Sequence, residues 1–157
     1  MKLGLLFSLL TGCATKPAER TGPGVSVELQ YPVLLASDRQ LLVKDNMSAL
    51  TTATGASGPN FVEYTLLDSS GALYTIPKAT HFGEKSWLRD LGTSQFQVFL
   101  ELKAERKPSL EKAKSLVKQM AFSRGDIQDT KAASRVIEGA GSFPQLIEAC
   151  RKPWEWR

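Results

Sequence analysis

The sequence predicts an α+β fold in which an antiparallel sheet from the first half of the chain is packed by two or three C-terminal helices. Apolar and polar residues alternate up to about residue 103, and apolar residues recur at helical spacing after it. Strands that precede helices along a chain favour segregated layers. The alternation fits a sheet that is covered on one face and polar on the other.

The first predicted strand covers residues 25–31. Its apolar residues alternate strictly with polar ones and therefore share one face: Val25, Val27, Leu29 and Tyr31. Pro32 ends this strand or marks a sheet edge. Residues 40–44 form a second short strand. Residues 45–46 then cap a helix over residues 47–52, although the threonines of that stretch also suit a strand.

A β-hairpin is predicted around the turn Asp68-Ser69-Ser70-Gly71. The β-prone runs 61–67 and 72–76 flank this turn, and Pro77 ends the second of them. A loop rich in Gly and Ser covers residues 55–60 and precedes the hairpin.

The strongest strand pattern in the chain covers residues 94–103. Four of its apolar residues share one face: Phe96, Val98, Leu100 and Leu102. Between the hairpin and this strand, residues 86–91 predict a short helix that Ser86 caps and Gly92 ends.

The second half of the chain predicts three helices. The first follows Pro108-Ser109 and carries one apolar stripe, formed by Leu110, Ala113, Leu116, Val117, Met120 and Ala121. Lys112, Lys114 and Lys118 lie off this stripe and form a candidate basic surface. Gly125 ends the helix.

Two shorter helices follow. Asp126 caps the second helix, which covers about residues 127–138, and residues 139–141 break the chain after it. Ser142 and Gln145 have the spacing of a capping box, with Pro144 in the first turn, where its missing N–H costs little. The last helix runs to about Arg151.

The first thirteen residues have the layout of an export signal. Lys2 precedes an apolar run over residues 3–10, which is too short to span a bilayer because a spanning helix needs roughly 20 apolar residues. The run ends in Leu10-Thr11-Gly12-Cys13, which resembles the lipobox of bacterial lipoproteins. The alternative is an ordinary secretory leader with an accidental Cys.

The resemblance implies a palmitate-carrying envelope lipoprotein. In that family the Cys thiol receives a diacylglycerol and the preceding peptide bond is cut, so residues 1–12 form the signal peptide and Cys13 is the lipidation site. Ala14 stands where enterobacterial inner-membrane lipoproteins have Asp, which implies the outer membrane, facing the periplasm. Residues 13–24 then form a flexible tether, and residues 25–157 a single α+β domain.

Charge is unevenly distributed along the chain. Residues 13–102 hold 7 basic and 9 acidic residues, whereas residues 103–157 hold 12 and 7. The basic half suits binding to anionic lipid headgroups or to an acidic partner. Because acidic and basic residues are interleaved along it, a solvated helix surface is favoured instead. Cys150 has no intramolecular partner once Cys13 carries lipid, so we expect a small buried side chain there.

Few residues in the sequence are candidates for catalysis or for binding a metal or cofactor. His81, the one histidine of the sequence, lies in a predicted loop, and a surface or structural role is favoured over catalysis. Ser109-Leu110-Glu111-Lys112 matches the Ser-x-x-Lys element of penicillin-binding enzymes, but its companion motifs are missing, so Ser109 is expected to cap a helix. Nothing in the motif content predicts a metal or a cofactor. We therefore expect no enzymatic activity, and the export signal disfavours nucleic acid as a partner.

Two of the three tryptophans lie at the end of the chain, in Trp154-Glu155-Trp156-Arg157. Trp and Arg are enriched at binding hot spots, which makes Trp154, Trp156 and Arg157 candidate partner-binding residues. Two alternatives remain: the tryptophans rest at a membrane interface, or the tail folds back and closes the core as a last extended segment.

These features together predict a non-catalytic envelope lipoprotein that binds another protein. Its size, lipid anchor and lack of catalytic groups resemble the immunity lipoproteins encoded beside type VI secretion effectors. That resemblance implies an inhibitor of, or immunity protein against, an envelope-targeting toxin or hydrolase. The alternative is a lipid- or glycan-binding or structural outer-membrane lipoprotein that uses the basic helical half.

Overall fold

A computed structural model describes residues 22–38, 40–54, 60–82, 95–123 and 130–151. The strands within these ranges are β1 (Gly24–Val25), β2 (Val33–Ala36), β3 (Leu41–Lys44), β4 (Thr52–Thr54), β5 (Thr65–Asp68), β6 (Leu73–Phe82) and β7 (Gln95–Ala104). The helices are α1 (Met47–Thr51), α2 (Leu110–Ser123), α3 (Thr130–Glu138) and α4 (Phe143–Ala149), and a 3₁₀ turn covers Phe61–Glu63. The predicted α+β class is confirmed.

The strands form one sheet with the order β1-β7-β6-β5-β2-β3, and β4 also pairs with β7. The pairing of β1 with β7 is parallel, whereas the other pairings are antiparallel. The hairpin of β5 and β6 forms as predicted, and so does β7, whose predicted apolar face is buried at Val98, Leu100 and Leu102.

The sheet has an apolar cluster on each face. The helix-side cluster joins Leu34, Ala36, Leu41 and Leu67 to the inner faces of α2, α3 and α4. The opposite-face cluster holds Val33, Leu35, Leu66, Ile76, Val98 and Leu100, together with Leu50 of α1 and Phe61. Strand β2 contributes to both clusters, and all four of its residues are buried. This explains why no pattern predicted it, since a strand that is buried on both faces shows no polar alternation.

The predicted strand over residues 25–31 is wrong beyond Val25. Ser26 interrupts the ladder because its Oγ accepts a hydrogen bond from the N–H of Leu102 (2.7 Å) and donates to the carbonyl of the same residue (3.3 Å). A short polar side chain thus takes the positions that backbone groups of a strand would fill. The alternation in burial nevertheless persists through residue 31.

The predictions for Pro77 and His81 are also wrong. Pro77 does not end the hairpin, because β6 continues to Phe82 through a shift in register between Thr75 and Lys78. Such an irregularity tolerates a proline, which has no N–H for the ladder. His81, expected in a loop, therefore lies on β6, where it pairs with Val98.

The helical half follows the sequence closely. Helix α2 begins at Leu110, and Ser109 Oγ accepts a hydrogen bond from the N–H of Lys112 (3.3 Å). Helix α4 begins behind Ser142, whose Oγ accepts from the N–H of Gln145 (3.4 Å). The Gln145 side chain returns to the N–H of Gly141 (2.7 Å), one residue before the position that a capping box uses. Helix α4 ends at Ala149, two residues earlier than predicted.

Several predictions lie outside the described residues: the export signal and most of the tether, most of the loop over 55–60, the helix over 86–91, and the helix boundaries at Gly125 and Asp126. Among the helices that the structure does describe, none combines the length and the apolar character needed to cross a bilayer.

Candidate binding groove

An open groove lies between residues 25–31 and the start of α1. Its first wall includes the four residues that were predicted to share one face, Val25, Val27, Leu29 and Tyr31, and the polar residues Ser26 and Glu28 of the same segment also line it. All four contact the opposite-face cluster, and Leu29 is buried. The alternation of apolar and polar residues therefore predicted the shared face of these four residues correctly, although the backbone beyond Val25 is not a strand. It did not predict the groove, which Ser26 and Glu28 also line.

Hydrogen bonds hold both ends of this wall. At its start, the N–H of Ser26 donates to the carbonyl of Leu100 on β7 (3.0 Å). At its end, the N–H of Gln30 donates to Asp68 Oδ2 (3.3 Å), and the Gln30 carbonyl accepts from the N–H of Ser69 (3.0 Å). The hydroxyl of Ser69 also donates to the carbonyl of Pro32 (2.6 Å). The wall is thus fixed by β7 and by the turn between β5 and β6.

Met47 forms the second wall. It is the first residue of α1, which Asn46 caps by accepting a hydrogen bond from the N–H of Ala49 (2.9 Å). Met47 is 49% exposed, although its side chain is apolar and lies beside the apolar residues Val25, Val27 and Leu29 of the groove lining. Methionine is a flexible and polarisable side chain that adapts to irregular partners, which suits a binding surface.

The groove has a volume of about 410 Å³, within the range of roughly 300–1,000 Å³ that ligand pockets occupy. Glu28 is the one ionisable side chain besides Tyr31 in its described lining, and it is exposed. The hydroxyl of Tyr31 is buried without a hydrogen-bond partner in the described part of the chain, and burial raises the pKa of this phenol. Such a lining is suited to binding apolar side chains.

Searches for related proteins found none: no family model, curated protein or solved structure matches this chain. Within the described ranges, no group of three or more His, Cys, Asp or Glu side chains is arranged to hold a metal ion.

The predicted basic surface on α2 is wrong for Lys114. Its side chain is 9% exposed, and its ammonium donates to Glu111 Oε1 (2.9 Å) and to the backbone carbonyl of Glu138 (3.0 Å), at the end of α3. Lys118 pairs with Glu138 (2.7 Å), which lowers the pKa of that carboxyl. Lys112 is exposed. Two of the three lysines therefore fasten α2 to α3.

The structure places the remaining chemically interesting residues apart from the groove lining. His81 is exposed, and its ring contacts that of Phe96 with the centroids 5.0 Å apart. Cys150 is fully buried, as expected, and its thiol donates to the carbonyl of Leu146 (3.2 Å). Burial raises the pKa of the Cys150 thiol to about 12. A thiol of this kind is unreactive near neutral pH.

Cys13, Trp154, Trp156 and Arg157 lie outside the described residues. Sequence reasoning missed Met47, which faces residues 25–31 only through the tertiary fold. The sequence gave only a weak indication that Met47 belongs to a site, because it showed no more than an apolar residue at the first position of a capped helix.

Proposed function

We propose that this chain is a non-catalytic envelope lipoprotein, anchored through Cys13, that binds another protein in the groove between residues 25–31 and Met47. The observation that supports this binding face is a groove lined mainly by apolar side chains, of which Met47 stays 49% exposed. Apolar surface that a chain leaves open in a defined cleft is typical of a binding site.

The position of the groove fits a protein held at a membrane. Val25 lines the groove, and only residues 14–24 separate it from Cys13. Even fully extended, the twelve steps from Cys13 to Val25 span at most about 43 Å. A partner that acts near this membrane surface is therefore within reach, and we propose that the partner is an envelope-targeting toxin or hydrolase, which this protein inhibits or against which it gives immunity.

The alternative, a lipid- or glycan-binding protein, draws less support from the structure. It relied on the cations of the helical half, of which Lys114 is buried and Lys118 is ion-paired. Binding of this kind predicts a strong dependence on salt, because exposed charges are screened within about 10 Å at 0.1 M ionic strength. Because Lys114 and Lys118 are already engaged within the protein, we favour a protein partner over a lipid or glycan.

A photo-cross-linking side chain at position 47 tests the proposal in intact cells. We expect one discrete adduct, formed by the lipidated full-length protein. The matched control places the same side chain at Val136 of α3, which is 43% exposed. A Val27→Glu change, which puts a charge on the apolar wall, should abolish the adduct while the circular dichroism spectrum is retained. The proposal fails if position 47 gives no adduct, or if position 136 gives the same one.

A further inference from the structure

The groove follows consecutive residues of one extended segment. The apolar side chains of this segment contact the opposite-face cluster, whereas Ser26, Glu28 and Gln30 are exposed, so burial alternates with the period of an extended chain. A cavity on one face of such a chain would contact only every second residue. Residues 25–29 all line this groove, which therefore runs along the backbone edge of the segment.

The hydrogen bonds of the segment show which backbone groups face this groove. The N–H of Ser26 donates to β7, and both backbone groups of Gln30 bond to the turn between β5 and β6. These two residues are an even number of positions apart, and the backbone groups of an extended chain point to alternate sides. The N–H and C=O groups of Val25, Val27 and Leu29 therefore point away from the sheet.

The outward backbone groups form an open edge. Strand β7 is the one strand partner of β1 in the described ranges, so the outer side of Val25 is unpaired. Neither Val27 nor Leu29 makes a backbone hydrogen bond with any residue that the structure describes. A row of unpaired N–H and C=O groups is a template to which another strand adds. The groove beside residues 25–29 is therefore suited to an extended chain.

The side chains along this edge select the kind of strand that fits. Residues that lie opposite each other in a ladder share a face, so an added strand with apolar residues opposite Val25, Val27 and Leu29 extends the opposite-face cluster. Met47, across the groove, offers further apolar surface. Glu28 lies on the other face, is exposed and makes no ion pair with a described residue. A cation opposite Glu28 would complete the pairing, because opposite charges across a ladder attract.

We propose that the groove binds an extended segment of the partner protein, which adds as a strand to residues 25–29 and places a Lys or Arg opposite Glu28. This rests on the proposed function, in which the groove binds a protein, and gives the mode of binding. Main-chain hydrogen bonds to Val27 and Leu29 hold the segment, and its alternating side chains give the specificity. A second copy of this chain fits less well, because residues 25–29 contain an acid and no base, so that pairing this edge with itself leaves Glu28 without a cation.

Amide hydrogen exchange before and after photo-cross-linking tests the strand. The full-length protein carries p-benzoylphenylalanine at position 47, and its adduct is purified from membranes in detergent. In the free protein, we expect the amides of Val27 and Leu29 to exchange at least about tenfold faster than the bonded amides of Ser26 and Gln30. In the adduct, the amides of Val27 and Leu29 should slow at least about tenfold, because they now donate to the partner.

The outcomes separate this proposal from the function on which it rests. An adduct in which Val27 and Leu29 exchange as fast as in the free protein overturns the added strand, although the groove then still binds a protein. Amides that are already protected in the free protein also overturn it, and so does an adduct formed with a second copy of this chain. If position 47 gives no adduct, the proposed function fails and the strand fails with it.

Substitutions of Glu28 test the cation on the partner. Glu28→Lys places like charges opposite each other, so we expect the yield of the position-47 adduct to fall at least about threefold, with a smaller decrease for Glu28→Gln. Asp38→Lys is the matched control, because it makes the same charge change at an exposed carboxylate outside the groove lining, and it should leave the yield unchanged. Equal yields for Glu28→Lys and Asp38→Lys contradict a cationic partner segment.

Discussion

Replacing Asp68 by alanine tests how the groove wall is fastened to the sheet. Asp68 is 2% exposed, at the end of β5. Its Oδ1 accepts from the N–H groups of Ser70 and Ala72, both at 2.9 Å, and from the Ser70 hydroxyl at 2.6 Å. Its Oδ2 accepts from the N–H of Gln30 at 3.3 Å. One side chain thus organises the hairpin turn and the end of the groove wall.

The two short backbone bonds dominate the expected loss. A hydrogen bond to a charged group contributes about 1.5–3 kcal/mol, whereas water can replace the hydroxyl contact and the longer Gln30 contact. Asp68→Ala should therefore lower the free energy of unfolding by about 3–6 kcal/mol. With an m-value of about 2 kcal/mol/M, the urea midpoint falls by roughly 1.5–3 M.

Urea unfolding followed by circular dichroism measures this loss. Asp38→Ala is the matched control, because Asp38 is exposed and should give a change within about 0.5 kcal/mol. Asp68→Asn keeps an oxygen for Ser70 and Ala72 but turns an amide donor toward the N–H of Gln30, so we expect an intermediate loss. A decrease in the free energy of unfolding of less than about 1 kcal/mol for Asp68→Ala would refute this expectation. Removing the buried carboxylate leaves the N–H groups of Ser70 and Ala72 without their acceptor, which costs more than that.

Three further predictions concern the packing of α4. Gly71→Ala should destabilise the protein by about 2–4 kcal/mol in urea unfolding, because Gly71 has φ +83° and an added Cβ would overlap the Phe143 ring; a neutral result contradicts this. In a Cys13→Ser background, Cys150 should resist a thiol reagent at pH 8 until urea is added, and rapid labelling of the folded protein would contradict its burial and its pKa of about 12. The hydrogen bond from Arg151 lowers the pKa of Asp45 below its ordinary value of 3.8, so its contribution is complete above that value and is lost as the pH falls through the lowered pKa. The stability difference between the native protein and Arg151→Gln should therefore shrink below about pH 4, and a difference constant down to pH 2 contradicts the ion pair.

Local signals in the sequence were sufficient for much of the fold. The hairpin turn was predictable because Gly71 supplies the positive φ that the turn needs, and α4 because Ser142 provides its cap. Strand β7 was predictable because one of its faces is buried and the other is polar. Each of these signals lies within about ten residues of the element that it specifies.

The predictions that were wrong or missing concern residues whose surroundings are set by parts of the chain distant in sequence. Strand β2 is buried on both faces, so its sequence shows no alternation. Lys114 has the helical position of a surface lysine, yet α3 supplies a carbonyl for its ammonium. For the groove, alternation predicted Val27 and its neighbours as one face, whereas Met47 reaches them only through the packing of α1. Pattern alone therefore predicted which four residues share a face, but it did not predict the groove.

We propose that the export leader ends in the Cys13 thiol, that this thiol becomes lipidated, and that the lipid ties the folded domain to a membrane. Intact-mass and peptide mass spectrometry of the protein extracted from membranes tests this directly. We predict an N-terminal peptide that begins at Cys13 and carries a diacylglycerol with its fatty acids, and a Cys13→Ser protein that keeps residues 1–12. An unmodified Cys13 thiol, or a wild-type protein that retains residues 1–12, would contradict the account.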